Sequence, residues 1–291
     1  MENNVEPGQK YRVALSPNDA NDVRVMAHGF IDAGSSVLDV GCACGDFGSL
    51  LFSHKACRIY GLDFDADSLV VAEESRSYEH LEQVDCNRIG ADFHPEWAGC
   101  FDYITFLDVL EHLIDPQECL KRILTFLKPD GDVIISLPNL AFGDIKLRLM
   151  NDEFSYTDTG ILDRTHLRFF TYKSIAVFLA EAGLVAVDAG FKLSGLDRKL
   201  RDATGDELLS RVCGDPHSFV YQYVTRCRKS DLSVAELTLI NLAKLNVAHA
   251  DIRPRLLLLG VRSMLVTAFP SGSKWRQILR RARSALRVGH S

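Results

Sequence analysis

Four aspartates recur in the N-terminal part of the chain, Asp39, Asp63, Asp85 and Asp108, spaced 24, 22 and 23 residues apart. The first stands just ahead of a small-residue run, Gly41-Cys-Ala-Cys-Gly45. Glycines let a backbone approach a ligand closely, and a helix that starts after such a loop aims amide donors at it. Carboxylates around that loop favour a ligand with hydroxyls to bond or positive charge to neutralise. His112 and His166 are candidates for moving a proton near neutral pH. Cys42 and Cys44 raise a different chemistry, a metal or redox pair. C-x-C lacks the second ligand pair that makes metal spacing convincing, and the other six cysteines are scattered. Packing under the loop explains them better, so no metal is expected.

The acids need elements to hold them. Ser35–Gly41, Arg58–Asp63, Leu81–Asp85, Tyr103–Asp108 and Asp132–Pro138 read as strands. Helices are predicted over Phe47–His54, over Asp65–Arg76 with Asp65 or Asp67 as cap, and from Asp115-Pro116 onward. The last of these carries Leu120, Ile123, Leu124 and Leu127 on one face, and Pro129-Asp-Gly131 turns it into the fifth strand. A helix over Thr171–Ala182 stops at Gly183, and Leu184–Gly190 and Ser218–Thr225 complete seven strands. This alternation predicts an α/β fold: a doubly wound, mostly parallel seven-stranded sheet of Rossmann-like kind, with a helical C-terminal extension. The expected division is an arm and helix over 1–34, the ligand-binding domain over 35–230, and the extension over 231–291. Ligands bind beyond the carboxyl ends of strands in such a sheet, where the glycine loop, Asp63, Asp85 and Asp108 fall.

Asp63 lies 22 residues past Gly41, where an acid can take both hydroxyls of a ribose. The dinucleotide fingerprint G-x-G-x-x-G needs glycine at positions 43 and 46, which hold Ala43 and Asp46. A pyrophosphate would also sit poorly beside Asp39 and Asp46. S-adenosyl-L-methionine fits better, because it joins a ribose to a sulfonium and an α-ammonium group.

Val37-Leu-Asp-Val-Gly-Cys-Ala-Cys-Gly45 resembles motif I of the class I S-adenosylmethionine-dependent methyltransferases. Gly61-Leu-Asp63 resembles their ribose-binding acid, and Asp85-Cys86 the pair that contacts adenine. The run from Phe101 to Pro116, including Leu107-Asp-Val-Leu-Glu-His112, is similar to the fourth-strand signature of the ubiquinone-type and sugar-type branch. Leu127-Lys-Pro-Asp-Gly-Asp-Val133 matches the approach to strand five. The resemblance spans about Val37 to Arg228 and departs at Ala43, where many members have glycine. It implies cofactor contacts from Asp39, Gly41, Cys42, Ala43 and Gly45 at the methionine end. Asp63 and Phe64 would serve the ribose, Asp85 and Cys86 the adenine, and Leu107, Asp108 and His112 the donor from strand four.

A narrower likeness follows. Leu137-Pro-Asn139, the run Tyr156–Thr171 and Glu181-Ala-Gly-Leu184 look like bacterial methyltransferases associated with cell-surface polysaccharide genes. The resemblance implies a sugar or glycan acceptor and a glycosyltransferase partner. If Asp163–Phe170 is extended, Arg164, His166 and Arg168 share one face. His166 is then the first candidate base, with Asp163 orienting it and His112 as second candidate; Asn139, Arg164, His166 and Arg168 would meet the acceptor. Plainer roles are open for each. Asp39 could cap the loop amides, Asp108 and Glu111 could be solvated helix-start acids, His112 and His166 could tie loops, and the arginines could form surface ion pairs.

The bulk composition agrees with an enzyme. The 291 residues are 47% hydrophobic and 25% charged, with net charge −6. Six of the 33 basic residues fall between Lys274 and Arg287, where no acid occurs, leaving 27 against 39 acidic residues elsewhere. An acidic body with a short basic tail excludes an ordinary nucleic-acid binder. Trp275, Ile278, Leu279, Ala282 and Leu286 stripe that tail at helical spacing, so 274–287 could lie on an anionic membrane or dock on the acidic body. The longest apolar run, Leu256–Phe269, is broken by Arg262 and too short to span a bilayer. Eight cysteines without a signal peptide point to the cytoplasm, with peripheral membrane contact through the tail. The expected function is methyl transfer to a sugar or polysaccharide-precursor hydroxyl. The alternatives are a quinone or natural-product O- or N-methyltransferase, and a cofactor-binding scaffold without turnover in a glycan assembly complex.

Overall fold

The computed structural model describes residues 18–248 and 251–252. In chain order these form α1 (Val23–Phe30), β1 (Ser36–Val40), α2 (Asp46–Lys55), β2 (Arg58–Asp63), α3 (Ala66–Glu74), β3 (His80–Gln83), β4 (Phe101–Leu107), α4 (Pro116–Ile123) and β5 (Leu127–Pro138). There follow α5 (Gly143–Met150), α6 (Tyr172–Glu181), β6 (Leu184–Leu193), α7 (Arg198–Ala203), α8 (Asp206–Cys213), β7 (Val220–Lys229) and α9 (Val234–Leu245). The chain divides into two compact units. Among the described residues, the first holds 18–140, 156–192 and 222–246, and the second holds 141–155, 193–221 and the few after 246.

The strands form one seven-stranded sheet in the order β3-β2-β1-β4-β5-β7-β6. Strands β1 to β5 pair in parallel and β7 runs antiparallel to β5, so the sheet is mixed. Every residue of β1 is buried, as expected for a strand covered on both faces, and this includes its aspartate. Val37, Ile59, Tyr103, Ile134 and Val224 from five strands meet Val23, Ala27, Phe47 and Leu51 from α1 and α2 in one core cluster. The chain reverses its strand order at β1 and β4, the switch point where ligands enter open sheets.

Local chemistry sets the boundaries. Pro116 opens α4 while the Asp115 side chain accepts the Glu118 N–H, and Cys119, Leu120 and Ile123 bury its inner face. Thr171 and Ser174 cap α6 reciprocally, and Gly183 at φ +71° lets the chain leave it. Asn241 of α9 is fully buried; it takes the Ala186 N–H and donates to the carbonyls of Ala176 and Leu184.

Two local expectations change. β5 starts at Leu127 rather than Asp132, and the Pro129-Asp-Gly131 turn becomes a register shift within the strand. A Cβ on Gly131 would stand 2.9 Å from the Asp102 carbonyl oxygen, so two backbones pass closely there. The segment Asp163–Phe170 is not an alternating strand. The His166 N–H turns back to the Asp163 carbonyl, and the N–H groups of Leu167 and Arg168 both reach the Glu111 carbonyl. Backbone donors spent on turns cannot build a ladder, so the two-faced pattern does not form.

In the second unit, Lys146 of α5 joins Asp215 at 2.5 Å and the Ser218 hydroxyl at 3.0 Å. The basic stripe at 274–287 and the apolar run Leu256–Phe269 lie outside the described residues. Among the described residues no helix is long and apolar enough to cross a membrane.

Candidate active site

The loop after β1 is shaped from below. Gly41 and Gly45 have φ +75° and +78°, and Ala43 shares the left-handed region at +45°. A Cβ on Gly41 would fall 2.3 Å from Val109 Cγ2, and one on Gly45 3.0 Å from both Ala72 and Tyr78. Tyr78 also fills the space that side chains at Gly48 and Gly61 would take, at 2.2 and 2.8 Å. Gly61 is the register partner of Asp39. The Tyr78 ring occupies that gap, and its hydroxyl donates to Asp39 at 2.9 Å. Thr105, the partner of Asp39 on β4, donates to its other oxygen at 2.7 Å. Burial pushes the Asp39 carboxyl up to about 6, against the pull of these two bonds, with the Asp63 charge adding to the rise. Cys42 and Cys44 are buried, and burial drives the Cys42 thiol far above its ordinary range.

The loop's acidic partner is Asp63 rather than Asp39. One oxygen of Asp63 accepts the Ala43 N–H at 2.7 Å and the other the Asp65 N–H at 2.9 Å. Burial raises its pKa, and these amide bonds oppose the rise. Phe64 beside it is 70% exposed. Past β3, Asp85 accepts from the backbone and side-chain N–H groups of Asn87, whose carbonyl oxygen takes the Ile114 N–H at 2.8 Å. This ties the ends of β3 and β4 together. Cys86 is a half-buried free thiol, and the neighbouring Cys119 thiol is the main reason its pKa is raised.

Leu107 is half-buried at the end of β4, and Asp108 turns out of the strand at φ +61°. Its N–H donates to Ser136 Oγ at 2.9 Å; that hydroxyl and the Gln222 amide both donate to its carboxylate. Glu111 is 1% exposed, which rules out a solvated helix-start acid. Its Oε2 has no hydrogen-bond partner among the described residues. Burial, with the Asp108 charge second, holds its carboxyl well above the carboxylate range.

His112 and His166 stand edge to face, with ring centroids 4.6 Å apart. A carboxyl oxygen of Glu111 and one nitrogen from each ring all lie within 4.8 Å of one another. Such a set can pass a proton or hold a divalent ion. His166 Nδ1 sits 2.9 Å from the Ile161 carbonyl oxygen. A carbonyl only accepts, so in the neutral ring Nδ1 carries the hydrogen and Nε2 keeps its lone pair. His112 Nδ1 faces the Thr165 carbonyl at 3.3 Å and the Thr165 hydroxyl at 3.1 Å. That hydroxyl donates to Asp163 at 2.7 Å, so the acid reaches His112 through Thr165. Burial, and then the neighbouring His166, lower the His112 pKa and keep it neutral at pH 7.

The remaining candidates scatter around this pair. Arg164 forks onto Asp158 at 2.6 and 3.1 Å on the surface, and Arg168 donates to the Ile114 carbonyl. Asn139 is fully buried and bridges to Phe170. Tyr78, Thr105, Ser136 and Gln222 escaped the sequence reading. Gln222 left a faint signal as an amide between the two tyrosines Tyr221 and Tyr223 of its strand; Tyr78 left none.

The donor set suits S-adenosylmethionine. Asp39, Asp63 and Asp108 concentrate negative charge at the strand ends, as a sulfonium and an ammonium require, and Phe64 offers an exposed ring beside the ribose-type acid. The Gly41–Gly45 loop would hold the methionine end, Asp63 the ribose and Asp85-Cys86 the adenine. When bound, the cofactor supplies an electrophilic methyl group on sulfur.

Comparisons with known proteins agree. The chain is 29% identical over 175 residues to the ubiquinone biosynthesis O-methyltransferase of Burkholderia pseudomallei, covering 59% of this chain and 74% of that one. It is 30% identical over 108 residues to the enzyme of the same description from Acinetobacter baumannii, covering 37% and 45%. The StiE O-MT structure, residues 961–1257, shares the fold with TM-score 0.52 at 14% identity, over 79% of this chain and 81% of that one. Residues 19–189 match the family model described as a methyltransferase domain. The chain therefore belongs to that family and is an S-adenosylmethionine-dependent methyltransferase.

Proposed function

We propose that the enzyme methylates a hydroxyl oxygen, with His166 as general base and a sugar or glycan precursor as acceptor. The observation that carries the oxygen assignment is the Ile161 carbonyl on His166 Nδ1, which leaves Nε2 as a proton acceptor. A hydroxyl acceptor must lose its proton as the oxygen takes the methyl group, and a neutral imidazole accepts it near pH 7. His112, held neutral by burial, does not compete by repelling that proton. Asp63 and the loop fix the donor, and His166 fixes the acceptor, so positioning supplies most of the acceleration.

The polar groups around the base support a sugar. Arg164, Asp158, Thr165 and Arg168 are all exposed on one short segment. A second reading, a small quinol-type phenol, is favoured by the description of the relatives and by Ile114 and Leu167, 62% and 50% exposed beside the same histidines.

His166→Asn tests the base. Turnover should fall about 100- to 10,000-fold while S-adenosylhomocysteine affinity, read by calorimetry, stays within about twofold. Unchanged turnover would remove His166 from the chemistry. Nucleotide sugars and surface-glycan extracts assayed beside a catechol quinol with labelled methyl donor separate the two acceptor classes.

A further inference from the structure

We propose that His80, Glu82 and His94 form a binding site for a divalent transition metal of the Zn²⁺ class, on the outer edge of the sheet. His80 and Glu82 alternate along the edge strand β3, and His94 comes from the loop before β4. Their ligand atoms all lie within 4.8 Å of one another. Glu82 Oε2 is 3.1 Å from His80 Nε2 and 2.7 Å from His94 Nε2.

Those separations are close to what coordination needs. A tetrahedral ion with ligands at about 2.0–2.1 Å sets them about 3.3 Å apart, so Glu82 Oε2 would move away from the two nitrogens by about 0.2 and about 0.6 Å. Two imidazole nitrogens and one carboxylate oxygen suit Zn²⁺, Co²⁺ or Ni²⁺, with water in a fourth position, because all three side chains are partly exposed. In the metal-free state, imidazole N–H groups on the shared oxygen fill the ion's place. For Nε2 to ligate, its hydrogen must leave it: to the ring's own Nδ1 if the imidazole is neutral, or to solvent if it is doubly protonated.

The surroundings orient the ligands as metal sites do. His94 Nδ1 is 2.6 Å from Glu96 Oε1, the carboxylate that holds the other ring nitrogen of a metal-ligating histidine. The His94 ring lies flat on Trp97, with centroids 3.8 Å apart and planes 7° apart. His80 packs edge-on against the same indole at 5.4 Å and lies tilted by 35° against Tyr60 at 6.0 Å. Both rings are thus fixed in direction before any ion arrives. A bound ion would staple the edge strand to the loop over 90–97.

The test uses tag-free, chelator-stripped full-length enzyme titrated with Co²⁺ and with Zn²⁺. The expected result is a Co²⁺ visible spectrum of tetrahedral intensity and a Zn²⁺ isotherm that includes one site lost in His94→Ala. Glu96→Gln should weaken that site about 10- to 100-fold. Because Glu111, His112 and His166 can also hold an ion, His166→Ala is run in parallel and should leave the edge site intact. Circular dichroism checks that each variant folds, and His80→Ala gives a second removal of one ligand. An unchanged number of bound ions in both His80→Ala and His94→Ala, or a loss of binding seen only in His166→Ala, overturns the proposal. So does the absence of any Co²⁺ spectrum with the folded wild type.

Discussion

Asp39 should make the enzyme lose stability as pH rises. Its carboxyl is fully buried, yet only Tyr78 and Thr105 donate to it, at 2.9 and 2.7 Å. Its folded pKa of about 6 lies above the ordinary 3.8, so the folded state holds the proton more tightly than the unfolded one. The stability from this group is therefore complete below pH 3.8 and is lost as pH climbs through about 6. At about 1.36 kcal/mol per pH unit, the separation of about 2.2 is worth about 3 kcal/mol. Asp39→Asn keeps the shape and removes the titration. Urea unfolding of both proteins from pH 4 to 8 gives the difference curve, in which other groups largely cancel. Wild type should lose about 2–3 kcal/mol relative to the variant between pH 4 and 7, with little change above. A difference curve flat to within about 0.5 kcal/mol would refute the burial reasoning.

Asp63→Ala removes the cap on the Ala43 amide and the ribose-type acid together. S-adenosylhomocysteine affinity should fall about 10- to 100-fold, given about 1.5–3 kcal/mol for a bond to a charged group; unchanged affinity by calorimetry would misplace the ribose. Gly48→Ala puts a methyl 2.2 Å from the Tyr78 ring and should destabilise by about 1–3 kcal/mol in urea. Tyr78→Ala should relieve much of that penalty, so additive losses in the double variant would contradict the clash. Glu111→Gln should change stability by less than about 1 kcal/mol near pH 4, below the ordinary glutamate value of 4.5. Because the folded Glu111 pKa is raised, wild type should then lose stability relative to the glutamine as pH rises above 4.5. Arg164→Ala, which breaks an exposed pair with Asp158, should shift stability by under about 0.5 kcal/mol, read by thermal melting.

The strands and their acids were legible because they follow local rules. A run such as Ser36–Val40 is apolar enough to be buried on both faces, and Asp63 keeps its distance from Gly41 whatever surrounds it. Pro116 and Gly183 mark helix ends through backbone geometry alone. What escaped depends on contacts between distant parts of the chain. Tyr78 looks like any loop tyrosine until β1 and β2 put Asp39 beside Gly61. Gln222 meets Asp108 only because β7 inserts antiparallel beside β5. The run Asp163–Phe170 misled because its alternation is real in the sequence, while its N–H groups are claimed by Asp163 and Glu111. Glu111 beside His112 reads as a helix-start acid, and only packing reveals it as a buried one.

The two halves of the site are built with different rigidity. On the donor side one ring acts as a keystone: Tyr78 is wedged against the positions of Gly45, Gly48 and Gly61 and reaches Asp39. Loop, helix start and second strand are locked around it, so a change at any of these residues disturbs the others. On the acceptor side, the segment carrying His166 hangs from the Glu111 carbonyl by two amides, those of Leu167 and Arg168. Those two bonds are made by backbone, so they survive almost any exchange of side chains. With the acceptor placed against His166 as proposed, such a mounting would let the side chains of residues 156–170 change, recasting what is methylated while the machinery that presents the methyl group stays untouched.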